Sequence, residues 1–267
     1  MTKKPITLIK LGGSVITNKD IPMSMKNGFL GRLAKEVMQA MEEHPEKRFV
    51  VGHGSGSFGH VPATKYKTID GFVDDESVLG MAIVQDAAAQ LNRKVVYEFI
   101  KNDVPAVTFA PSNTLVTASK KERVNFFSLL ELYLEKGLFP VTYGDVIVDT
   151  KQGCTIWSTE KVLSFLTEMF LAEGYEVDAV AHVTEVAGFL DDKKQVVPEI
   201  SRKNWEKLKK NLGSTKGFDV TGGMTLKIEE SLKLADKGVK SVILSGIKPD
   251  NLYSYLVGKD WVGTEIG

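Results

Sequence analysis

Ile6-Thr7-Leu8-Ile9-Lys10-Leu11 runs straight into Gly12-Gly13-Ser14, and Phe49-Val50-Val51-Gly52 runs in the same way into His53-Gly54-Ser55-Gly56-Ser57. Each is a short β-rich run that stops at glycines, as a strand does where it ends in a tight turn. Between them Phe29, Leu30, Leu33, Ala34, Val37 and Met41 recur at helical spacing. The segment reads strand, helix, strand, and a crossover of that kind joins parallel strands. Further strands are expected at residues 106–109, 139–143, 179–183 and 241–245, separated by helical patterns such as residues 78–100. This alternation predicts an α/β fold with an open, mainly parallel central sheet sandwiched by helices and right-handed crossovers. Hairpins are added over residues 144–156, around Lys151-Gln152-Gly153, and over residues 187–197, around Asp191-Asp192-Lys193-Lys194. Lys-rich residues 203–216 read as a solvated helix and loop. A soft boundary divides residues 1–143 from residues 144–267, within what reads as one continuous structural domain.

The 267 residues are enough for a sizeable core, and 43% hydrophobic with 25% charged residues is ordinary soluble composition, far from that of a disordered chain. Lys+Arg and Asp+Glu both count 34, so no global positive field recruits nucleic acid or an anionic membrane. Any anion site must be local. The single cysteine, Cys154, cannot close an intrachain disulfide, and no charged and then apolar leader opens the chain, which predicts a reducing cytoplasm. No apolar run approaches the ~20 residues that span a bilayer.

Three glycine clusters carry the chemistry. In Lys10-Leu11-Gly12-Gly13-Ser14 a cation at a strand end precedes two residues without side chains, where backbone N–H groups can converge on phosphate. The pattern is neither a Walker A loop nor a dinucleotide fingerprint, and alone it also suits a plain turn. Residues 52–60 hold four glycines, with His53 and His60 near the ends; such density disfavours regular structure and suits a ligand loop. His60 can donate to a phosphate oxygen, or simply to a loop carbonyl. The third cluster, Asp219-Val220-Thr221-Gly222-Gly223-Met224-Thr225-Leu226-Lys227, precedes a periodic run through Ile228, Leu232 and Ala235, which places Lys227 early in a helix where ammonium and helix potential act on one anion. Cys154, His44, His53 and His182 show no metal-ligand spacing and read as structural.

Taken together and in this order, the clusters resemble the amino acid kinase superfamily, and more closely its isopentenyl phosphate kinase branch. The matching residues are Lys10-Leu11-Gly12-Gly13-Ser14, Lys19, Gly56-Ser57-Phe58-Gly59-His60, Gly144-Asp145-Val146 and the third cluster ending at Lys227, with Gly263-Thr264-Glu265-Ile266 at the tail. The resemblance implies the three-layer amino acid kinase architecture, with an acceptor lobe in residues 1–143 and an ATP-binding lobe in residues 144–267. It assigns Lys10, Lys19 and Lys227 to charge on the transferring phosphoryl group. Lys10, Gly12, Gly13, Ser14, Gly56, Gly223 and Lys227 fall to ATP; Ser55, Gly59, His60 and Gly144 fall to the acceptor phosphate.

The activity so implied is ATP-dependent phosphorylation of isopentenyl phosphate, or a similar short prenyl monophosphate, to the diphosphate. Mg2+ is expected on the phosphates rather than in a protein cage, and a homodimer is implied. The apolar side chains of residues 78–89 offer candidates for a prenyl pocket, although most read as ordinary core. Two segments depart from the family pattern. Thr184-Glu185-Val186-Ala187-Gly188 stands where relatives often carry Thr-Asp-Val-Asp-Gly near the nucleotide base. Ser158-Thr159-Glu160-Lys161 stands where they often carry Ser-Gly-Asp-Asp, which puts Glu160 in place of the carboxylate that organises the lysines. A kinase acting on a phosphonate such as fosfomycin or on another small acid, and a nucleotide-binding sensor or storage protein without turnover, stay open as alternatives.

Overall fold

The computed structural model describes residues 3–18, 20–212 and 223–267. Lys19 and the Asp219-Val220-Thr221-Gly222 part of the third cluster lie outside the described residues. In chain order the elements are β1 (Ile6–Leu11), α1 (Gly13–Ile16), α2 (Phe29–Glu43), β2 (Arg48–His53), α3 (Gly56–Lys65), α4 (Ser77–Ile100), β3 (Ala106–Thr108), α5 (Pro111–Thr114), β4 (Leu115–Ala118), β5 (Lys121–Asn125), α6 (Phe127–Glu135) and β6 (Phe139–Tyr143). There follow β7 (Asp145–Asp149), β8 (Gly153–Trp157), α7 (Thr159–Ala172), β9 (Val177–Thr184), β10 (Glu199–Ile200), α8 (Arg202–Leu212), α9 (Gly223–Ala235), β11 (Lys240–Ser245), α10 (Asn251–Leu256) and β12 (Gly263–Ile266).

Among the described residues, eight strands form one sheet in the order β10-β12-β11-β9-β1-β2-β6-β3, parallel except for the β11/β12 pair. A second sheet, β5-β4-β7-β8, carries the expected hairpin of β7 and β8. The other expected hairpin, over residues 187–197, is reduced to one bridge between Leu190 and Val196. Its charged tip turns on the Asp191 side chain, which accepts from the backbone N–H of Lys193 and Gln195. Residues 52–60 also depart from expectation. Only Gly54 and Ser55 form the turn, and α3 begins at Gly56, so Gly59 and His60 are helical despite the local glycine density.

Alternation along the strands sorts the core into two layers. On β1, Ile9 and Leu11 join the layer under α2, α4 and α10, while Ile6 and Leu8 join the layer under α6 and α7. Side chains alternate with period 2, so Lys10 continues the row of Ile6 and Leu8 and points to the α7 side. On β9, Val180 belongs to that layer and His182 continues its row in the same way. In the strand register Lys10 sits opposite both Gly52 and His182, and His182 opposite Ile243. One row across the sheet thus reads Gly52, Lys10, His182, Ile243, close to the carboxyl ends of the parallel strands.

An open depression of about 520 Å3 lies at the other end of the strands, lined in part by Thr7, Lys47, Asp178, Lys240 and Tyr255. Its two lysines are paired locally, Lys47 with Asp178 at 3.0 Å and Lys240 with Glu265 at 2.6 Å.

Candidate active site

Gly52 decides how α7 meets the sheet. A Cβ at Gly52 would lie 2.7 Å from Thr159 Cγ2 and 3.1 Å from a Leu163 methyl, so glycine is what lets the start of α7 settle onto β2. Thr159 Oγ1 then donates to the carbonyl of His53 at 2.7 Å, and Ser158 caps the helix by accepting from Lys161 N at 3.3 Å. Glu160, in the first turn, is thereby carried over Lys10, where a carboxylate also gains from the positive end of the helix.

Lys10 Nζ donates to Glu160 Oε1, and Lys227 Nζ lies 3.5 Å from the same oxygen. Both lysines are only 8% exposed, so the three charges share a site nearly closed to water. Burial by itself would raise the Glu160 carboxyl; the two ammoniums outweigh it and bring the value down to about 2. Lys227 comes from the second turn of α9, whose first residue, Gly223, accepts from Lys227 Nζ at 3.4 Å. His182 is 3% exposed beneath the cluster. Burial first, then the neighbouring Lys227 and Lys10, push its imidazole well below the usual histidine range, so it is neutral.

The first two glycine clusters are packed backbone against backbone. A Cβ on Gly13 would fall 2.5 Å from Gly56 N, and one on Gly56, whose φ is +49°, would fall 2.1 Å from Thr17 Oγ1. Thr17 Oγ1 joins the two turns, donating to Gly13 O at 2.7 Å and accepting from Ser57 N at 3.1 Å. Gly12 N reaches Val183 O at 2.9 Å and Gly54 N reaches Leu11 O at 3.0 Å, so the ends of β9, β1 and β2 are tied at one level. The N–H groups of Gly13 and Ser14 open α1, whose orphan donors suit an anion. His60 is exposed on α3, one turn beyond Gly56. Gly144 N donates to His53 O at 3.2 Å, the carbonyl that Thr159 also uses, so Gly144 lies beside the second turn. Asp145 turns inward to Ser112 N at 3.0 Å, and burial pushes its carboxyl up to about 6.

A buried relay braces that second turn. Thr108 Oγ1 donates to Asn92 Oδ1 at 2.6 Å, Asn92 Nδ2 reaches His53 Nε2 at 3.2 Å, and His53 Nδ1 meets Gly54 O at 3.2 Å. Burial pushes His53 down to about 4, which keeps the imidazole neutral for this role.

The structure therefore brings Lys10 and Lys227 together through Glu160, and sets Gly12, Gly13, Ser14, Ser55, Gly56, Gly59, His60 and Gly144 around two abutting turns at the same end of the sheet. Glu185 does not stay in the base loop alone: Lys26 Nζ donates to its carboxylate. The roles of Asn92 and Thr17, and the contacts made by His182 and Thr159, leave no mark in the sequence. His53 and His182 were visible only as histidines without ligand spacing.

The donor set, two ammoniums with backbone N–H groups, fits phosphate. No group of three His, Cys, Asp or Glu among the described residues is arranged to hold a metal ion.

A family model described as the amino acid kinase family matches residues 5–245. The isopentenyl phosphate kinase of Methanocaldococcus jannaschii is 32% identical, covering 98% of both chains. That of Methanothermobacter thermautotrophicus is also 32% identical, over 97% of this chain and 98% of its own. A solved structure described as isopentenyl phosphate kinase superposes with a TM-score of 0.79 at 29% identity, covering 98% of this chain and all of that one.

Proposed function

The chain belongs to the amino acid kinase family, and from that premise we propose the following reaction: it transfers the γ-phosphoryl group of ATP to isopentenyl phosphate, giving isopentenyl diphosphate and ADP. One observation carries the reading. In a chain similar over 98% of its length to an isopentenyl phosphate kinase, an exposed His60 stands on α3, one turn beyond the glycine turn that abuts the Lys10 turn.

An acceptor monophosphate is already largely ionised near neutral pH, so its oxygen needs little help from a base. That oxygen forms the new bond to phosphorus while the bond to the bridging oxygen of ADP breaks. The difficulty is bringing two polyanions together, and phosphoryl transfer is catalysed mainly by positioning and charge stabilisation. At an effective dielectric of about 20, one ion pair at about 4 Å is worth on the order of 4 kcal/mol before desolvation. Lys10 and Lys227 supply two such charges, and Glu160, in contact with both, offsets their mutual repulsion. In this assignment Gly12, Gly13, Ser14, Gly56 and Gly223 line the ATP phosphates, and Lys19 is a further cation on the transferring group. Ser55, Gly59, His60 and Gly144 hold the acceptor phosphate. Mg2+ on the ATP phosphates would add charge neutralisation there.

The proposal extends to a homodimer in the cytoplasm, with residues 1–143 serving the acceptor and residues 144–267 the nucleotide. Its charge balance of 34 against 34 gives no reason to bind nucleic acid, and no helix of the described residues is long and apolar enough to cross a membrane.

Incubation with ATP and isopentenyl phosphate, dimethylallyl phosphate or fosfomycin, with mass detection of the product, tests the reading. Isopentenyl diphosphate is the expected product; ADP formation with fosfomycin alone would replace the acceptor, and no turnover with any of them would favour a sensor. Lys19→Ala is expected to lower kcat at little changed KM, and His60→Ala to raise the acceptor KM. Unaltered kinetics in both would defeat the residue assignment.

A further inference from the structure

We propose that His182 and Ser231 form a positioning pair that sets where the Lys227 ammonium stands. The inference rests on the kinase reading above and adds residues to it.

Lys227 and Ser231 are four residues apart on α9, so they share one face of the helix, one turn apart. Both are buried, at 8% and 1% exposed. Ser231 Oγ lies 3.3 Å from His182 Nε2, and His182 stands beside Lys10 in the strand register. The contact therefore ties α9 to the row of the sheet that carries Lys10. A single polar contact one turn below Lys227 fixes the rotation of α9 about its own axis, and that rotation decides how far the ammonium is from Glu160 and Lys10. Apolar packing of Ile228 and Leu232 holds the helix down but tolerates small rotations, because it has no preferred direction.

The imidazole suits this place for two reasons. It is neutral, so it adds no third positive charge beside two lysines. It is also not saturated: Nδ1 is buried without a hydrogen-bond partner. A leucine would pack in the same space at lower cost, and an unpaired buried nitrogen costs roughly 1–3 kcal/mol. The contact that His182 makes through Nε2 offsets part of that cost.

Ser231→Ala removes the bond with the least change of volume, and Ser231→Thr keeps the hydroxyl. His182→Leu removes the bond from the other side, and His182→Gln places an amide near the position of Nε2. With ATP and isopentenyl phosphate, S231A and H182L are expected to lose about tenfold in kcat with both KM values within about twofold, a scale typical of a small misplacement. S231T and H182Q are expected within about threefold of wild type. The decisive comparison adds K227A. Once the ammonium is gone its position no longer matters, so S231A in the K227A background should change kcat by less than about twofold.

A purely structural contact would lower the melting temperature and leave kcat per folded molecule unchanged. Either that pattern, or an equal loss from S231A with and without Lys227, overturns the proposal. Should H182L fail to fold, S231A and S231T still decide it. Should wild type fail to phosphorylate isopentenyl phosphate, the acceptor reading falls separately, and the same cycle is read in equilibrium ATP binding. There, non-additive weakening by S231A and K227A supports the positioning pair, and an unaltered affinity in S231A refutes it.

Discussion

Glu160 carries one negative charge between two ammoniums in a site that water barely reaches, and its carboxyl is displaced from 4.5 to about 2. The two ammoniums therefore favour the ionised form in the folded protein over the unfolded chain. The folded value is lower than the unfolded one, so the contribution is fully present above about pH 4.5 and is lost as pH falls toward 2. Glu160→Gln should therefore be less stable than wild type at pH 7, and the difference should shrink as melting is repeated from pH 5 down to pH 3. A pH-independent difference would show that the stabilisation does not come from this charge. The same variant leaves Lys10 and Lys227 without their shared anion, and a fall in kcat of roughly 10- to 100-fold is expected. Glu160 thus links stability and chemistry in one side chain, which suits a residue whose partners are held apart from water.

At the scale of elements, the β7–β8 hairpin and the β4–β5 hairpin depend on one carboxylate. Asp149 Oδ1 accepts from Ser119 N, Lys151 N and Gln152 N at 3.1, 2.9 and 3.2 Å, and Oδ2 accepts from Thr117 Oγ1 and Lys120 N at 2.9 and 2.7 Å. Ser119 and Lys120 both have positive φ, 51° and 64°, the signature of a tight primed turn without glycine. Burial acts to raise Asp149, but these donors hold it well below the usual carboxylate range. Asp149→Asn turns one acceptor oxygen into a donor facing N–H groups, and a loss of roughly 1–3 kcal/mol is expected at pH 7 by denaturant titration. The loss should diminish below about pH 4, where the carboxylate begins to take up a proton in the unfolded chain while the folded one stays ionised.

The sequence shows the β7–β8 turn through its Gly153, but the Ser119-Lys120 turn is hidden because its conformation is held by a residue about 30 positions away. The buried parallel strands are legible for the opposite reason: strands covered on both faces read as continuous apolar runs. Helix α3 is obscured because Gly56, Gly59 and Pro62 are poor helix formers locally and only the packing of Gly56 on Gly13 and Thr17 explains them. Lys10 and Lys227 are legible because glycines flag them. His182 leaves no such trace, since its register with Lys10 joins strands more than 170 positions apart.

At the scale of the whole molecule, the halves on either side of residue 143 share one sheet through the β1/β9 ladder, and the lysine cluster straddles the same seam. A second clasp lies on the other face. Arg32 on α2 donates to Glu36 and to the carbonyl of Gly246, and Glu36, 2% exposed, accepts from Asp250 N at 3.3 Å and Tyr253 N at 3.1 Å. The first half thereby holds the loop that leads from β11 into α10 of the second. If the sheet makes the halves one cooperative body, weakening this clasp must lower the stability of both together. Glu36→Ala leaves Arg32 only its backbone acceptor and takes the acceptor from the Asp250 and Tyr253 N–H groups, a loss of roughly 1–3 kcal/mol. At roughly 2–4 °C per kcal/mol for a chain of this size, the melting temperature should fall by about 2–12 °C. Far-UV and near-UV circular dichroism should still fall in a single coincident transition. Two separated transitions in the variant would mean that the seam is weaker than its continuous ladder suggests, and that the halves fold as separate lobes.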